Sequence, residues 1–96
     1  MKIRYSLRAF ADREEIYDYL EKRSPQGAQR VKLAIVQAIR GLGSHPRIGR
    51  ITDKPGVYEL IVPRRPYKVY YRIEGGEIWI VHIRDARRRS WQGEGD

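Results

Sequence analysis

Arginines that could bind phosphate groups concentrate in the second half of this sequence. They form two short runs and two single positions: Arg64, Arg65, Arg72, Arg84, Arg87, Arg88 and Arg89. A guanidinium binds phosphate oxygens in pairs and keeps its charge at physiological pH. The set could stabilise the charge of a phosphoryl transition state, or it could form a solvated basic face. The residues alone leave both interpretations open.

Histidine is the other candidate for chemistry, and the chain has two. His82 lies in a strand-like run and could act as a general acid or base in RNA cleavage, because its pKa near neutrality suits that task. A lone histidine in a strand more often packs and donates a hydrogen bond, and we favour that interpretation. His45 precedes Pro46, which is typical of a residue at the end of a helix.

The composition excludes several kinds of active site. The chain has no cysteine, which excludes disulfides, thiolate metal sites and cysteine nucleophiles. No serine lies in a G-x-S-x-G motif, and the sequence holds no phosphate-binding glycine loop. The spacing of the two histidines matches no metal-ligand motif. We therefore expect no metal site and no cofactor.

The charge balance predicts a polyanionic or acidic partner. Lysine and arginine number 20 against 12 acidic residues, which gives a formal net charge of +8 over 96 residues. Such an excess attracts nucleic acid, ribosomes, anionic membranes or acidic proteins. The sequence has no apolar run long enough to span a membrane and no signal-peptide pattern. We expect a single cytoplasmic domain over residues 1–96, no membrane partner, and a mobile tail from about residue 90.

Hydrophobic periodicity predicts an α+β fold in the order β-α-α-β-β-β. Two amphipathic helices meet at Ser24-Pro25, where serine suits a helix cap and proline suits the first helical position. Gly75-Gly76 favours a hairpin turn between the last two strands. We expect a helical hairpin packed on one face of a small antiparallel sheet. The predicted elements are a strand at Lys2–Leu7, helices at Arg8–Arg23 and from Ser24 to about Leu42, and strands at Val57–Pro63, Pro66–Ile73 and Glu77–Arg84.

Aromatic residues in the predicted strands have two interpretations. Tyr58, Tyr67, Tyr70, Tyr71 and Trp79 could stack on nucleic-acid bases, but at strand spacing beside valine and isoleucine they are more typical of the core. Trp91 differs, because it lies in a basic tail without a strand pattern. It is a candidate for anchoring a partner protein.

Several segments together resemble the RelE/ParE toxins of type II toxin–antitoxin systems. They are the Ser24-Pro25 break, the segment HPRIGR at residues 45–50, VYELIVPRRPYKVYYR at 57–72 and EIWIVHIRDARR at 77–88. The resemblance extends from Ile3 to about Arg88. It implies a small bacterial toxin that a cognate antitoxin neutralises. RelE-like members cleave messenger RNA on the ribosome, whereas ParE-like members inhibit DNA gyrase.

The resemblance also suggests site residues. For a RelE-like ribonuclease, the matching positions are Arg65 or Arg72 with Arg84 and Arg87, and His82 would be the acid or base. Many relatives have a histidine where this chain has Asp85, and no tyrosine follows Tyr71. These departures, together with the long helices, favour ParE-like gyrase inhibition. The alternatives are an mRNA endonuclease and a non-toxic nucleic-acid-binding module, and in each case the predicted basic surface is Arg64, Arg65, Arg84, Arg87, Arg88 and Arg89.

Overall fold

A computed structural model describes residues 1–87 of the chain, in which two helices pack on a five-stranded sheet. This confirms the predicted α+β class and the helical hairpin on one face of the sheet. No helix within this range is long and apolar enough to cross a membrane. The elements in chain order are β1 (Lys2–Tyr5), α1 (Leu7–Arg23), α2 (Pro25–Gly41), β2 (Arg50–Ile51), β3 (Tyr58–Ile61), β4 (Tyr67–Glu74) and β5 (Glu77–Asp85).

Two serines set the ends of the helices. Ser6 caps α1 by accepting a hydrogen bond from the backbone N–H of Ala9 at 3.0 Å. The first strand therefore ends at Tyr5, two residues before the predicted end at Leu7. Ser24 ends α1 and begins α2, since its hydroxyl accepts from the Gly27 N–H at 3.0 Å and Pro25 follows at the first helical position. The predicted helix break is confirmed.

The sheet is mixed, with strand order β1-β5-β4-β3-β2. The three predicted strands β3, β4 and β5 pair antiparallel as expected, and β2 also pairs antiparallel with β3, but β1 runs parallel to β5. The expectation of a wholly antiparallel sheet was therefore wrong for this edge, because parallel pairing requires a crossover and here the rest of the chain supplies it. The two-residue strand β2 was not among the predicted elements and lies between α2 and the first of the three predicted strands.

The β4–β5 hairpin turns at two glycines, as predicted. Gly75 and Gly76 have φ angles of 58° and 75°, a region that L side chains rarely adopt. The register shifts once along the hairpin, because Tyr70 pairs with His82 while Tyr71 pairs with Ile80. Val81 is thus an extra residue in β5, which is a β-bulge.

The core lies between the helices and one face of the sheet. Tyr71 is fully buried there and also holds the loop before β2, since its hydroxyl donates to the Pro46 carbonyl at 2.8 Å and accepts from the Gly49 N–H at 3.0 Å. Tyr58 stacks on its ring, with centroids 5.2 Å apart. The buried members of the core are Ala9, Val31, Ile35, Ile39, Leu42, Val62, Tyr67, Val69, Tyr71, Ile78, Ile80 and Ile83.

Side chains that alternate with these core positions point to the other face of the sheet, which we call the open face. The two helices lie on the opposite side, and the open face carries most of the charged strand residues. Its members include Lys2, Arg4, Arg50, Glu59, Ile61, Lys68, Tyr70, Arg72, Glu74, Glu77, Trp79, His82 and Arg84.

Candidate functional site

Asp12 and His82 form a buried pair where β1 turns away into α1. The Nδ1 atom of His82 lies 2.6 Å from Oδ2 of Asp12, and the same carboxylate oxygen accepts the backbone N–H of Ile83 at 3.0 Å. Because β1 pairs with β5 only as far as Ile80, β1 offers no partner to the Ile83 N–H, and the carboxylate takes that place. Arg8 donates to the other oxygen, Oδ1, at 2.9 Å.

These contacts set the ionisation of Asp12. Burial by itself raises the pKa of the carboxyl, because it disfavours the charged form. The hydrogen bonds from His82, from the Ile83 N–H and from Arg8 outweigh that effect and hold the pKa of Asp12 below its ordinary value. Asp12 is therefore a carboxylate at neutral pH.

The other side of His82 is covered by Tyr70. Their rings stack at 5.7 Å between centroids with an interplanar angle of 18°. His82 is 5% exposed and Tyr70 is 7% exposed. The Tyr70 hydroxyl donates to Oε2 of Glu59 at 3.1 Å and accepts from Nε of Arg84 at 3.2 Å. Both rings are thus enclosed, and each has polar partners supplied by the fold.

This arrangement adds residues that the sequence prediction did not name as site residues. Asp12, Tyr70 and Glu59 all bond to side chains of the open face. Asp12 had a usable signal, since a carboxylate on the same helical stripe as Ala9 and Ile16 requires a buried partner. The partner itself, 70 positions away, has no local signal.

The predicted arginines meet at one end of the sheet. Lys68 pairs with Arg84 across β4 and β5, and the Ala86 N–H donates to the Pro66 carbonyl. The turn that holds Arg64 and Arg65 therefore lies beside the end of β5, as the predicted antiparallel order requires. Arg64 is exposed and has a φ of 62°, the single positive value for a residue other than glycine within residues 1–87.

Arg87 and Arg72 differ from this group. Arg87 has a 69% exposed side chain, but it forms a two-pronged pair with Asp85 through Nε at 3.0 Å and Nη2 at 2.7 Å. That carboxylate raises the pKa of Arg87 and offsets its charge. Arg72 lies four residues from Lys68 along β4, about 13 Å away, and donates to the Pro55 carbonyl at 3.2 Å.

The remaining predictions are outside this geometry. Three of them, Arg88, Arg89 and Trp91, and the tail that we expected to be mobile fall on residues 88–96, which lie outside the described range. Within residues 1–87 no three histidine or acidic side chains gather closely enough to hold a metal ion.

Comparison with known proteins gives consistent matches over most of the chain. Residues 3–90 match the family model described as the ParE toxin of the type II toxin–antitoxin system parDE. The chain is 36% identical over 84 residues to Toxin RelE2 of Caulobacter vibrioides, which covers 88% of this chain and 93% of that protein.

Solved structures show the same fold. The chromosomal ParDE toxin–antitoxin system of P. aeruginosa contains a chain with a TM-score of 0.78 and 30% identity, covering 88% of this chain and 95% of that one. The RelBE toxin–antitoxin complex of E. coli matches with a TM-score of 0.60 and 15% identity, over 91% and 98% of the two chains. At that identity the second match concerns the fold alone.

Proposed function

Because the chain belongs to the ParE toxin family and is the toxin of a type II toxin–antitoxin system, we propose that it inhibits DNA gyrase. A cognate antitoxin neutralises it, and both act in the cytoplasm, where gyrase and its DNA are found. The competing hypothesis is cleavage of messenger RNA on the ribosome.

The environment of His82 is the main observation that favours gyrase over the ribosome as the target. A ribonuclease needs a general acid or base within hydrogen-bond reach of the reacting groups. His82 is enclosed between Asp12 and Tyr70, and the Tyr70 hydroxyl is held by Glu59 and Arg84. The two groups best suited to proton transfer on the open face therefore serve the fold. This supports a toxin that binds its target rather than one that cleaves RNA.

The comparisons support the same branch. The matching family model is that of ParE toxins, and the ParDE structure exceeds the RelBE structure in both TM-score and identity. The name of the C. vibrioides relative, Toxin RelE2, is the observation that keeps the ribonuclease hypothesis as the alternative.

We assign target binding to the basic end of the sheet, at Arg64, Arg65 and Arg84. The guanidinium groups of Arg64 and Arg65 donate to no carboxylate within residues 1–87, so they are available to an acidic surface. Arg84 is anchored by Tyr70, which fixes its position and lowers the entropy lost on binding. The same cations suit an acidic segment of the antitoxin, which would then exclude the target.

The test combines cells and purified proteins. The toxin is induced in bacteria while DNA and protein synthesis are followed by pulse labelling, and the purified full chain is added to a gyrase supercoiling assay. We expect DNA synthesis to stop first and supercoiling to be inhibited, with recovery on adding the antitoxin. Protein synthesis that stops first, with ribosome-bound mRNA cleaved, would overturn the gyrase proposal in favour of the ribonuclease.

A further inference from the structure

A partly exposed tryptophan lies between two arginines on the open face. Trp79 alternates with Ile78 and Ile80, both fully buried, so its indole points to the open face. Arg4 of β1 and Arg72 of β4 are its direct neighbours on the two adjoining strands. The three side chains form a row across the sheet, with a cation on each side of the aromatic ring.

The charges of this row are available to an anion. Arg72 makes one hydrogen bond within the described part of the chain, to the Pro55 carbonyl, and no carboxylate neutralises it. Arg4 pairs with Glu77 at 2.8 Å, but the pair is exposed, and exposed ion pairs are weak enough for a phosphate to compete. Over the open face as a whole, the cations Lys2, Arg4, Arg50, Lys68, Arg72 and Arg84 outnumber the carboxylates Glu59, Glu74 and Glu77.

The composition of the open face favours nucleic acid over protein as the occupant. The centres of protein interfaces are depleted in charged residues, whereas nucleic-acid interfaces are polar and strongly positive. Of the strongly exposed large hydrophobic side chains within residues 1–87, Ile61 alone lies on this face. An aromatic ring on a sheet surface, flanked by cations, is suited to stacking an unpaired base while the cations contact phosphates.

We propose that the open face binds single-stranded DNA, with a base stacked on Trp79 and the neighbouring phosphates on Arg4 and Arg72. The proposal deepens the gyrase proposal and rests on it for its biological role, since gyrase acts on DNA. The toxin would then contact the DNA that gyrase holds as well as the enzyme.

The test measures binding of the full chain to a labelled single-stranded oligonucleotide by fluorescence anisotropy at several salt concentrations. Replacing Trp79→Leu should weaken binding by about 5- to 150-fold, the range typical of one stacked base. Trp79→Phe should retain most of the affinity because it keeps a ring. The wild-type chain should bind an oligonucleotide with abasic sites more weakly than it binds intact DNA. The Trp79→Leu variant should bind the two oligonucleotides equally well.

The arginines are tested through the salt dependence. Arg72→Gln should reduce the slope of log affinity against log salt by about 0.7, the contribution of one phosphate contact in a single strand. Arg30→Gln makes the same charge change on the exposed surface of α2 and should leave the slope unchanged. Thermal unfolding of each variant shows that lost binding does not reflect lost folding.

Three results would overturn the proposal. The first is that Trp79→Leu binds the oligonucleotide as tightly as the wild type does. The second is that Trp79→Phe and Trp79→Leu lose the same amount of affinity. The third is that the wild-type chain binds RNA or an acidic peptide more tightly than it binds DNA. Because gyrase is absent from this assay, a failure to detect DNA binding leaves the gyrase proposal untouched. Conversely, intact DNA binding without inhibition of supercoiling would refute gyrase as the target and leave this surface in place.

Discussion

Asp12 and His82 are 70 positions apart in the chain, yet Oδ2 of one lies 2.6 Å from Nδ1 of the other. The contact joins the first helix to the last strand at the point where β1 no longer covers the strand edge. It also sets the environment of His82, the candidate general acid or base for RNA cleavage. One pair therefore stabilises the fold and bears on the choice of target.

Replacing Asp12→Asn should lower the free energy of unfolding by about 1.5–3 kcal/mol, the usual value of a hydrogen bond to a charged group. The amide retains a carbonyl oxygen for the Ile83 N–H but loses the charge that faces His82 and Arg8. Urea unfolding measures the change. Asp18→Asn on the exposed side of the same helix is the matched control and should change stability by less than about 0.5 kcal/mol. Equal effects of the two substitutions would show that the pair contributes nothing specific.

Stability should depend on pH through Asp12 in acid solution. The pKa of Asp12 is lower in the folded chain than its ordinary value of 3.8, so the folded state binds fewer protons there. The contribution of Asp12 is thus fully present above about pH 4 and is lost as the pH falls through the folded pKa. Urea unfolding between about pH 6 and pH 2.5 should show the gap between the wild type and Asp12→Asn closing. A gap that stays constant over this interval would contradict the assigned pKa direction.

Gly49→Ala should destabilise the loop before β2. A Cβ at this position would lie 2.6 Å from the Tyr71 hydroxyl and 2.9 Å from the Glu59 carbonyl oxygen, so the loop or the buried tyrosine must shift. Overpacking of this kind costs about 1–3 kcal/mol. Gly41→Ala, at the end of α2, meets no atom within 4 Å and should be neutral or stabilising by up to about 1 kcal/mol. Thermal unfolding of both variants decides this, and similar melting temperatures would argue against the tight contact.

Arg65→Gln should weaken inhibition of gyrase while leaving the fold intact. Arg65 lies in the turn at the basic end of the sheet, and the guanidinium bonds to no carboxylate within residues 1–87. Truncating an arginine that contributes to an interface costs about 1 kcal/mol or more of binding free energy. That corresponds to about a fivefold rise in the concentration for half-inhibition. Arg30→Gln on α2 again provides the control with the same charge change. If the two variants inhibit supercoiling equally well, the basic end of the sheet is not the target-binding surface.

Local sequence determined the elements whose signals lie within a few positions of one another. Ser24 and Pro25 fixed the helix break because capping is a contact over three residues. Gly75 and Gly76 fixed the last hairpin because the turn requires positive φ angles. The net charge and the family segments were also evident from the sequence, and with them the membership of the toxin family.

Only the tertiary structure decided which distant residues meet. The alternation of Lys2–Tyr5 predicts a strand but carries no information on its direction, so the parallel pairing of β1 with β5 depended on how the intervening chain crosses over. The bulge at Val81 and the register of β4 then placed His82 against Tyr70, and α1 brought Asp12 to His82. Such contacts arise from the packing of whole elements, because periodicity reports which face a residue occupies but not what lies opposite it.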